Sequence, residues 1–373
     1  MDKKFKKPLL IGLSTLLVAA VAVAGGLMFK RNLDEAATEP PTEAVLETAA
    51  PTEAPTEAPT EAPTEAPTEP PVLRNPFNGA VVEEVWDQRP FAFSINNVKP
   101  SMPQFGIGQA DIVYEMLVEY GLTRCLGIYS DVSGVEKIGS IRSARIYTYS
   151  LVQSCDAILV RCGGSDQASQ AIKADGWDEI DGYYLSEPFY RDQARKKAGY
   201  ALEHTMFTSG ELVLANAEKR SLRRTHEGGL DYGLNFADEA VPAGETANTI
   251  SLVFSKSKSS ALNYDAESGK YLASQYGKDW IDNITGETLA FENVLILRAE
   301  TWTQENGVHE YIELVDEGTG YYANGGQLIP IRWSRSADSA PFIYTLEDGT
   351  PLTIGVGKSY IGIVPTGADV SWE

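Results

Sequence analysis

Apolar and polar residues alternate along the first part of the globular region in a way that predicts β-strands. Two of the runs flank a tight turn at Gly121 and are predicted to pair as antiparallel strands. On the first of these two strands, Glu115 and Glu119 face the same side, because side chains along a strand alternate with a period of two. The predicted strands are residues 91–97, 111–120 and 122–129.

Helical periodicity follows these strands. Ser140 is predicted to cap an amphipathic helix, because apolar residues recur after it at spacings of three and four. Its apolar stripe comprises Ile141, Ala144, Thr148, Leu151, Val152 and Cys155. A buried strand over residues 157–162 then leads through Gly163-Gly164-Ser165 into a second helix that ends near Gly176, and a third helix covers residues 209–219.

The last third of the chain has a different pattern, in which strand-like runs follow one another with turn residues between them. These runs are residues 249–255, 270–274, 293–299, 309–315, 327–334, 341–345 and 359–364. The whole pattern predicts an α+β fold. It consists of a mixed α/β sandwich-like domain over residues 74–226, a linker over residues 227–247 and a β-rich domain over residues 248–373.

The amino-terminal residues 1–31 predict membrane attachment. Four lysines precede the uncharged residues 8–29, which as a helix would span about 33 Å at roughly 1.5 Å per residue. The basic flank favours an amino end inside the cell, so a single-pass transmembrane helix would hold the body outside the cell membrane. The alternative is a cleaved signal peptide and a secreted body, because Ala22-Val23-Ala24 fits a cleavage site.

Residues 32–73 predict a disordered stalk. The unit Pro-Thr-Glu-Ala repeats from Pro51 to Pro67, and proline at every fourth position prevents a stable helix. A proline-rich linker of this length reaches on the order of 100 Å when it is extended at about 3.1 Å per residue. We therefore expect the stalk to act as a spacer between the membrane and the body.

Charge and composition exclude several classes of function. Residues 1–31 carry +5 and residues 32–73 carry −10, which leaves −16 of the net charge of −21 on residues 74–373. Residues 74–373 are therefore acidic enough to repel the phosphate backbone of a nucleic acid, and no nucleic acid is expected as a partner. The three cysteines and three histidines have neither a disulfide-framework nor a metal-ligand spacing. We expect buried thiols, no metal and no cofactor.

Candidate chemistry centres on arginine. Arg142 and Arg145, with Ser143 between them, lie off the apolar stripe of the first predicted helix and share a face with Tyr149. The amino end of a helix offers unpaired N–H groups and a partial positive charge. The Gly163-Gly164-Ser165 turn leads from a strand into the second helix, whose amino end offers the same unpaired N–H groups and partial positive charge. The two helix starts are therefore predicted to form a pocket for a phosphate or a carboxylate.

The further candidates to line this pocket are Arg124, Arg191, Arg195 and His204. The alternative is a structural network, in which Arg142 and Arg145 pair with Glu115, Glu119 or Asp111 and Ser165 is only a helix cap. Catalytic signatures such as HExxH, GxSxG and a Walker loop are missing from the sequence. Residues 255–258 have an S-x-x-K spacing, which is predicted to be a charged turn, so no catalytic residue is assigned.

Short motifs recur at these positions and farther along the chain. They are Val113–Glu119, Thr123-Arg124, Gly139–Arg145, Gly163–Ser165, Tyr190-Arg191 with Arg195, Tyr264-Asp265, Gly269–Tyr271, Asn293-Val294, Gly325-Gly326 and Trp333. In combination they resemble the bacterial DUF3048, or YerB-like, family over nearly all of residues 74–373. The resemblance implies the two-domain division and export, often as a lipoprotein. It implies no reaction, because members of the family have no established activity.

The chain departs from the family pattern at two places. It lacks a lipid-accepting cysteine near residue 25, and it has an apolar segment with a stalk instead. A Pro-His-Asn-like element of the family corresponds most nearly to Glu203-His204-Thr205, after an apparent insertion.

Three functions stay open at this point. The first is binding of an anionic ligand, such as a cell-wall polymer or its precursor, in the arginine-lined pocket. The second is an enzyme that acts on such a ligand, with the arginines stabilising charge in a transition state. The third is a structural or protein-interaction module that contacts another envelope protein. Convergence of Arg142, Arg145 and Ser165 on one open cleft would favour the first two.

Overall fold

The computed structural model describes residues 72–226 and 231–373. The apolar residues 8–29, predicted to be a membrane anchor, and nearly all of the predicted stalk, residues 32–73, lie outside the described residues. None of the helices in the described part of the chain combines the length and the apolar character needed to span a bilayer.

The first half of the body mixes strands and helices. Its elements are β1 Phe91–Asn96, β2 Ile112–Leu117, β3 Thr123–Tyr129, β4 Ile138–Gly139, α1 Ile146–Ser154, β5 Ile158–Arg161, α2 Asp166–Asp175, β6 Glu179–Asp181, β7 Tyr190–Arg191, α3 Gln193–Lys197, β8 Met206–Thr208 and α4 Gly210–Lys219. Short 3-10 helices cover Lys99–Ser101, Ile107–Gln109 and Leu202–His204.

The second half of the body consists of strands. They are β9 Asn235–Ala237, β10 Glu245–Thr246, β11 Thr249–Ser255, β12 Lys258–Asp265, β13 Lys270–Gln275, β14 Lys278–Asp279, β15 Ala290–Phe291, β16 Asn293–Ala299, β17 Thr301–Thr303, β18 Glu310–Ile312, β19 Glu317–Asn324, β20 Gln327–Ser334, β21 Ile343–Thr345, β22 Thr353–Gly355, β23 Ser359–Pro365 and β24 Val370–Trp372.

A mixed sheet of 11 strands runs through the described body in the order β10-β20-β19-β16-β23-β2-β3-β1-β5-β6, with β21 added on β20. Strand β23, near the end of the chain, lies parallel to β2 on one side and to β16 on the other. The body is thus a strand-rich, two-domain fold with few helices, and both domains contribute to this sheet. Strands β1, β2 and β3 are buried along their whole length, as is typical of near-continuous apolar runs at the centre of a sheet.

A second sheet, of order β14-β13-β12-β11-β24 with β15 on β13, packs against the middle of the large sheet. The two sheets meet closely where Leu252 on β11 faces Gly362 on β23. A Cβ added at Gly362 would lie 2.6 Å from Cδ2 of Leu252, so a residue without a side chain is needed there. Strand β11 alternates between buried and partly buried residues, because only one of its faces covers the core.

Most of the predicted elements are confirmed, and two long strands were missed. The predicted strands that end in Asn97, Tyr129, Cys162, Ser255 and Ser334 correspond to β1, β3, β5, β11 and β20. Helix α2 begins after the capping residue Ser165 and ends at Gly176 in a left-handed conformation, and α4 begins after Ser209. Strands β12 and β19 were missed, because the polar sequence of β12 and the glycine-containing sequence of β19 lack a regular alternation of apolar residues.

The predicted start of the first helix is wrong. Ser140 caps no helix; α1 begins at Ile146, and Arg145 is its N-cap residue in an extended conformation. Arg142 and Arg145 therefore do not share a helix face with Tyr149, whose hydroxyl instead donates to Asp175. Helix α1 is buried nearly all round rather than along one stripe.

The segment predicted as a linker, residues 227–247, contributes to two sheets. Strand β9 lies parallel to β22, and β10 pairs with β20 at the edge of the large sheet. The boundaries proposed for the two domains, at residues 226 and 248, stay predictions.

Candidate functional site

The extended residues before α1 lie beside the glycine turn that precedes α2. The Ala144 N–H donates to the Gly163 carbonyl at 3.0 Å, and the Ser165 N–H donates to the Ala144 carbonyl at 3.1 Å. Because alternate side chains of an extended segment point to opposite sides, Arg142 is separated from its neighbours Ser143 and Arg145. The single pocket predicted from the sequence is consequently divided into two.

The first of these, which we call the α2 pocket, has a volume of about 460 Å³. It brings together four of the predicted site residues and adds five that were not predicted. Its lining consists of Ser143, Arg145, Gly164, Ser165, Asp166, Gln167, Gln304, Asn306 and His309.

Arg145 forms one wall of the α2 pocket and is only 5% exposed. Its Nη2 lies 2.6 Å from Oε2 of Glu119, and its Nη1 donates to the Ala144 carbonyl. Arg124 approaches the other carboxylate oxygen of Glu119, with its Nη2 at 3.0 Å from Oε1. The buried Nε of Arg145 has no hydrogen-bond partner in the described residues. The guanidinium therefore has donor capacity that its structural contacts do not use.

Glu119 holds the two arginines in place. Burial would raise the pKa of Glu119, but the positive charges of Arg124 and Arg145 and their hydrogen bonds lower it to about 2. Burial, together with the charge of Arg145, lowers the pKa of Arg124 to about 10. The carboxylate stays ionised at neutral pH, and it balances one of the two positive charges.

The amino end of α2 forms a second wall. The Ser165 hydroxyl accepts from the Ala168 N–H at 3.3 Å, and the Gly163 N–H donates to Asp181 at 2.7 Å. For the backbone N–H groups of Asp166 and Gln167, the described residues provide no acceptor, as is usual in the first turn of a helix. These donors border the pocket, beside the exposed carboxylate of Asp166.

The third wall is the tip of the β17–β18 hairpin, from the second half of the chain. The Glu310 N–H donates to the Val118 carbonyl at 2.8 Å, and His309 forms a β-bridge with Glu119. The backbone of Glu119 therefore places the hairpin, while its carboxylate places Arg145. This arrangement brings Gln304, Asn306 and His309 to the site, although they lie far from Arg145 in the sequence.

The second pocket, which we call the Arg142 pocket, has a volume of about 430 Å³. It is lined by Ile141, Arg142, Cys162, Arg191, Ala201, Leu202, Glu203 and Met206. Arg142 is paired with the exposed Glu203 at 3.3 Å, and Arg191 donates to the Leu202 carbonyl. Predicted site residues thus line this pocket too. Its arginines have ionic or carbonyl partners, and the Nε of Arg142, like that of Arg145, has no hydrogen-bond partner in the described residues.

His204 is buried near the Arg142 pocket and does not line it. Its Nδ1 lies 2.9 Å from Nδ2 of Asn96. Burial lowers the pKa of His204, and the charges of Arg142 and Arg195 lower it further against the opposing effect of Glu203. A neutral imidazole in this position supports the local fold.

Arg195 and Glu115 do not line either pocket. Arg195 is buried, and its guanidinium donates to the carbonyls of Ser101, Pro103 and His204. Glu115 lies between the two sheets in a hydrogen-bonded network. Its partners are Asn97, Thr123, Lys258, Ser260 and Tyr360.

Lys258 corrects one prediction from the sequence. Its S-x-x-K segment was assigned to a charged turn, yet its side chain is fully buried and lies 3.0 Å from Oε1 of Glu115. Among the described residues, no group of three or more His, Cys, Asp or Glu side chains is arranged to hold a metal ion. The cysteines Cys125, Cys155 and Cys162 are all free thiols.

Comparison with known proteins identifies the family. Residues 78–223 match the N-terminal domain, and residues 250–361 match the C-terminal domain, of the family described as "Protein of unknown function (DUF3048)". Together the two matches cover more than half of the chain. The chain belongs to the DUF3048 family.

A curated relative and a solved structure agree with this assignment. The DUF3048 chain is 29% identical over 298 residues to "Putative lipoprotein YerB" of Bacillus subtilis (strain 168), a match that covers 79% of this chain and 86% of the relative. The crystal structure of the YerB protein from Bacillus subtilis superposes with a TM-score of 0.69 at 28% identity, over 80% of this chain and 99% of that one.

Sequence reasoning missed half of the α2 pocket of this DUF3048 chain. Asp166 and Gln167 directly follow a predicted residue, and the first-turn position of Asp166 was a usable signal. Gln304, Asn306 and His309 gave no such signal, because their proximity depends on a hairpin that docks from the second half of the chain.

Proposed function

We propose that this DUF3048 protein is associated with the cell envelope and binds an anionic, cell-wall-related ligand in the α2 pocket. The name of the Bacillus subtilis relative supports attachment to a membrane. In this chain we assign attachment to the apolar residues 8–29 as a single-pass helix with the body outside the cell, and a cleaved, secreted form is the alternative.

The observation that carries the proposal is the position of Arg145. A guanidinium that is 5% exposed lines an open pocket, and its Nε lacks a partner among the described residues. A guanidinium in the wall of a pocket favours a carboxylate or a phosphate as the ligand, because charge-assisted hydrogen bonds are stronger than neutral ones. The first-turn N–H groups of α2 face the same space and favour negative charge.

The charge balance sets a limit on the ligand. Glu119 neutralises one of the two buried arginines, and Asp166 adds a carboxylate to the rim. The pocket therefore suits a ligand with a small anionic group and polar surroundings rather than a dense polyanion.

The experiment measures binding of inorganic phosphate and of poly(glycerol phosphate) to the full-length chain by calorimetry. We expect Arg145→Gln to weaken binding at least tenfold, while the matched change Arg142→Gln at the other pocket leaves it unchanged. Because Arg145→Gln also removes an ion pair, thermal melting of each variant separates unfolding from loss of binding.

A second variant avoids the ion pair. Gln167 is exposed, lines the pocket and has no hydrogen bond from its side chain in the described residues. Gln167→Glu places a negative charge in the first turn of α2, where it does not destabilise the helix. We expect weaker binding at unchanged stability. Equal binding by the wild type, Arg145→Gln and Gln167→Glu would contradict the proposal. The protein would then be assigned as a structural or protein-interaction module.

An enzymatic alternative rests on one observation, which is that Asp166 and His309 both line the α2 pocket. A carboxylate and an imidazole are the usual groups for proton transfer. The test incubates acidic wall fragments with the wild type and with Asp166→Asn, and it follows the products by mass spectrometry. A product formed only by the wild type would assign an enzyme, and unchanged fragments would favour binding alone.

A further inference from the structure

The hairpin wall of the α2 pocket carries an exposed aromatic ring beside the polar lining. Trp302 on β17 is 46% exposed, and its ring lies on that of Tyr311 with centroids 4.6 Å apart and planes tilted by 31°. Tyr311 in turn meets Tyr147 of α1 edge to face at 6.4 Å. Tyr311 thus packs on one face of the Trp302 ring, Tyr147 packs on Tyr311, and the other face of the Trp302 ring is toward solvent.

The register of the hairpin puts this ring on the same face as the pocket residues. Trp302 is opposite Tyr311, and the Gln304 N–H donates to the His309 carbonyl at 2.8 Å, two residues farther along each strand. Side chains two apart on a strand share a face and are separated by roughly 7 Å. The ring of Trp302 therefore continues the surface formed by Gln304 and His309.

Hydrogen bonds at the tip of the hairpin define the donor on His309. The Asn306 side-chain oxygen accepts the N–H groups of Val308 and His309, so its Nδ2 is the atom that lies 3.0 Å from Nδ1 of His309. An amide nitrogen only donates, and Nδ1 must accept. In the neutral imidazole the proton is then on Nε2, which makes that atom a donor in a residue that lines the pocket.

The α2 pocket consequently presents donors and acceptors side by side. Arg145, Nε2 of His309 and the first-turn N–H groups donate, while Asp166 accepts. A ligand rich in hydroxyl groups can satisfy both kinds, since each hydroxyl donates and accepts, whereas the charged oxygens of a phosphate only accept. The aromatic face beside them matches the apolar face of a sugar ring.

We propose that the ligand of the α2 pocket is an acidic glycan. One sugar ring packs on Trp302, and the anionic group of the neighbouring unit meets Arg145 and the amino end of α2. This inference rests on the proposed function and specifies its ligand class. Trp302 and Gln304 are two residues apart on the hairpin, roughly 7 Å along the strand, which suits a ligand of at least two linked units.

The test uses calorimetry on the full-length chain with three probes. They are the disaccharide N-acetylglucosaminyl-N-acetylmuramic acid, which has a ring and a carboxylate, the neutral disaccharide N,N′-diacetylchitobiose, and inorganic phosphate, which has charge but no ring. We expect the acidic disaccharide to bind most tightly. Trp302→Ala should raise its Kd by about tenfold, and Trp302→Phe should restore most of the affinity.

Trp86→Ala is the matched control, because Trp86 is partly exposed and does not line the α2 pocket. It should bind all three probes as the wild type does. Trp302→Ala should leave phosphate binding unchanged, which shows that the variant is folded and that the anion position is intact.

The outcomes separate the two proposals. If the acidic disaccharide binds no better than phosphate, or if Trp302→Ala binds it as the wild type does, the glycan assignment is overturned. The anion-binding function survives that result provided that Arg145→Gln still weakens phosphate binding. If Arg145→Gln changes the binding of neither phosphate nor the disaccharide, the proposed function itself fails.

Discussion

Glu119 and Arg145 form an ion pair in which Oε2 of the carboxylate lies 2.6 Å from Nη2 of the guanidinium. The other oxygen of Glu119 lies 3.0 Å from Nη2 of Arg124. One carboxylate thus holds two arginines. Since the backbone of Glu119 also bridges to His309, this residue connects the arginine wall of the α2 pocket to its hairpin wall.

The first prediction concerns pH. The pKa of Glu119 is lowered from its ordinary value of 4.5 to about 2, since the two arginines outweigh the effect of burial. A carboxylate with a lowered pKa stabilises the fold above its unfolded pKa, and the contribution is lost as the pH falls toward the folded pKa. We expect Glu119→Gln to lower the free energy of unfolding at pH 7 by on the order of 2–3 kcal/mol.

Urea denaturation of both proteins at a series of pH values measures this effect. The gap between wild type and Glu119→Gln should narrow from about pH 5 to about pH 2. Glu187→Gln is the control, because Glu187 pairs with Lys219 on the surface, where ion pairs contribute little. A Glu119→Gln protein as stable as the wild type at pH 7 would show that the ion pairs of Glu119 with Arg124 and Arg145 do not stabilise the fold.

The second prediction concerns the ion pair between the sheets. Lys258 and Glu115 have fully buried side chains 3.0 Å apart. Lys258→Met removes one charge and leaves the other buried, so we expect a loss of about 3–5 kcal/mol in the free energy of unfolding. Adding Glu115→Gln should recover part of that loss, because the remaining charge is removed.

Lys256→Met is the matched control, since Lys256 lies in the same turn and is exposed. Chemical denaturation of the four proteins measures the differences. A Lys258→Met variant that loses no more stability than Lys256→Met would contradict the assignment of a buried, mutually dependent pair.

Local sequence signals predicted much of the fold and part of the candidate site. The capping serines and terminal glycine of α2 and α4 act within one helical turn, and both helices were predicted correctly. The proximity of Arg145 to the Gly163-Gly164-Ser165 turn was also predicted, from two helix starts on one edge of the sheet, although the first helix begins later than predicted.

The errors have a common physical cause, which is competition from long-range contacts. The helical periodicity after Ser140 is overridden by hydrogen bonds to residues 162–165, which hold the chain extended as far as Arg145. Lys258 is buried because a partner carboxylate lies on the other sheet, and no local pattern reveals that partner. His309 reaches the pocket only after strands from both halves of the chain have paired.

The third prediction concerns the thiols. Burial raises the pKa of Cys125 well above its ordinary value, and it raises the pKa of Cys155 to about 12. Burial also raises the pKa of Cys162, but this residue lines the Arg142 pocket and is partly exposed. Thiolates are the reactive form, so all three should react slowly with a maleimide in the folded protein, and Cys162 should react first.

Mass spectrometry of the labelled protein, with and without urea, measures the order. Cys162→Ser should remove the fastest phase, and Cys125 should be modified only when the protein unfolds. Rapid labelling of Cys125 under native conditions would contradict the closed packing of β3.

The last prediction compares two helix caps that differ in their surroundings. Ser165 accepts from the Ala168 N–H at 3.3 Å, and Ser209 accepts from the Leu212 N–H at 3.2 Å. Replacing either serine by alanine should lower the free energy of unfolding by about 1 kcal/mol, because each change leaves one N–H of the first turn without its acceptor. Their effects on a ligand should differ, since Ser165 alone lines the α2 pocket.

We therefore expect Ser165→Ala to weaken binding of inorganic phosphate severalfold and Ser209→Ala to leave it unchanged at the same loss of stability. Thermal melting and calorimetry on the two variants measure both quantities. Equal binding by the two would mean that the amino end of α2 has only a structural role. If both variants bind phosphate equally weakly, binding follows global stability. The two caps form the same kind of hydrogen bond, and only Ser165 lines the α2 pocket.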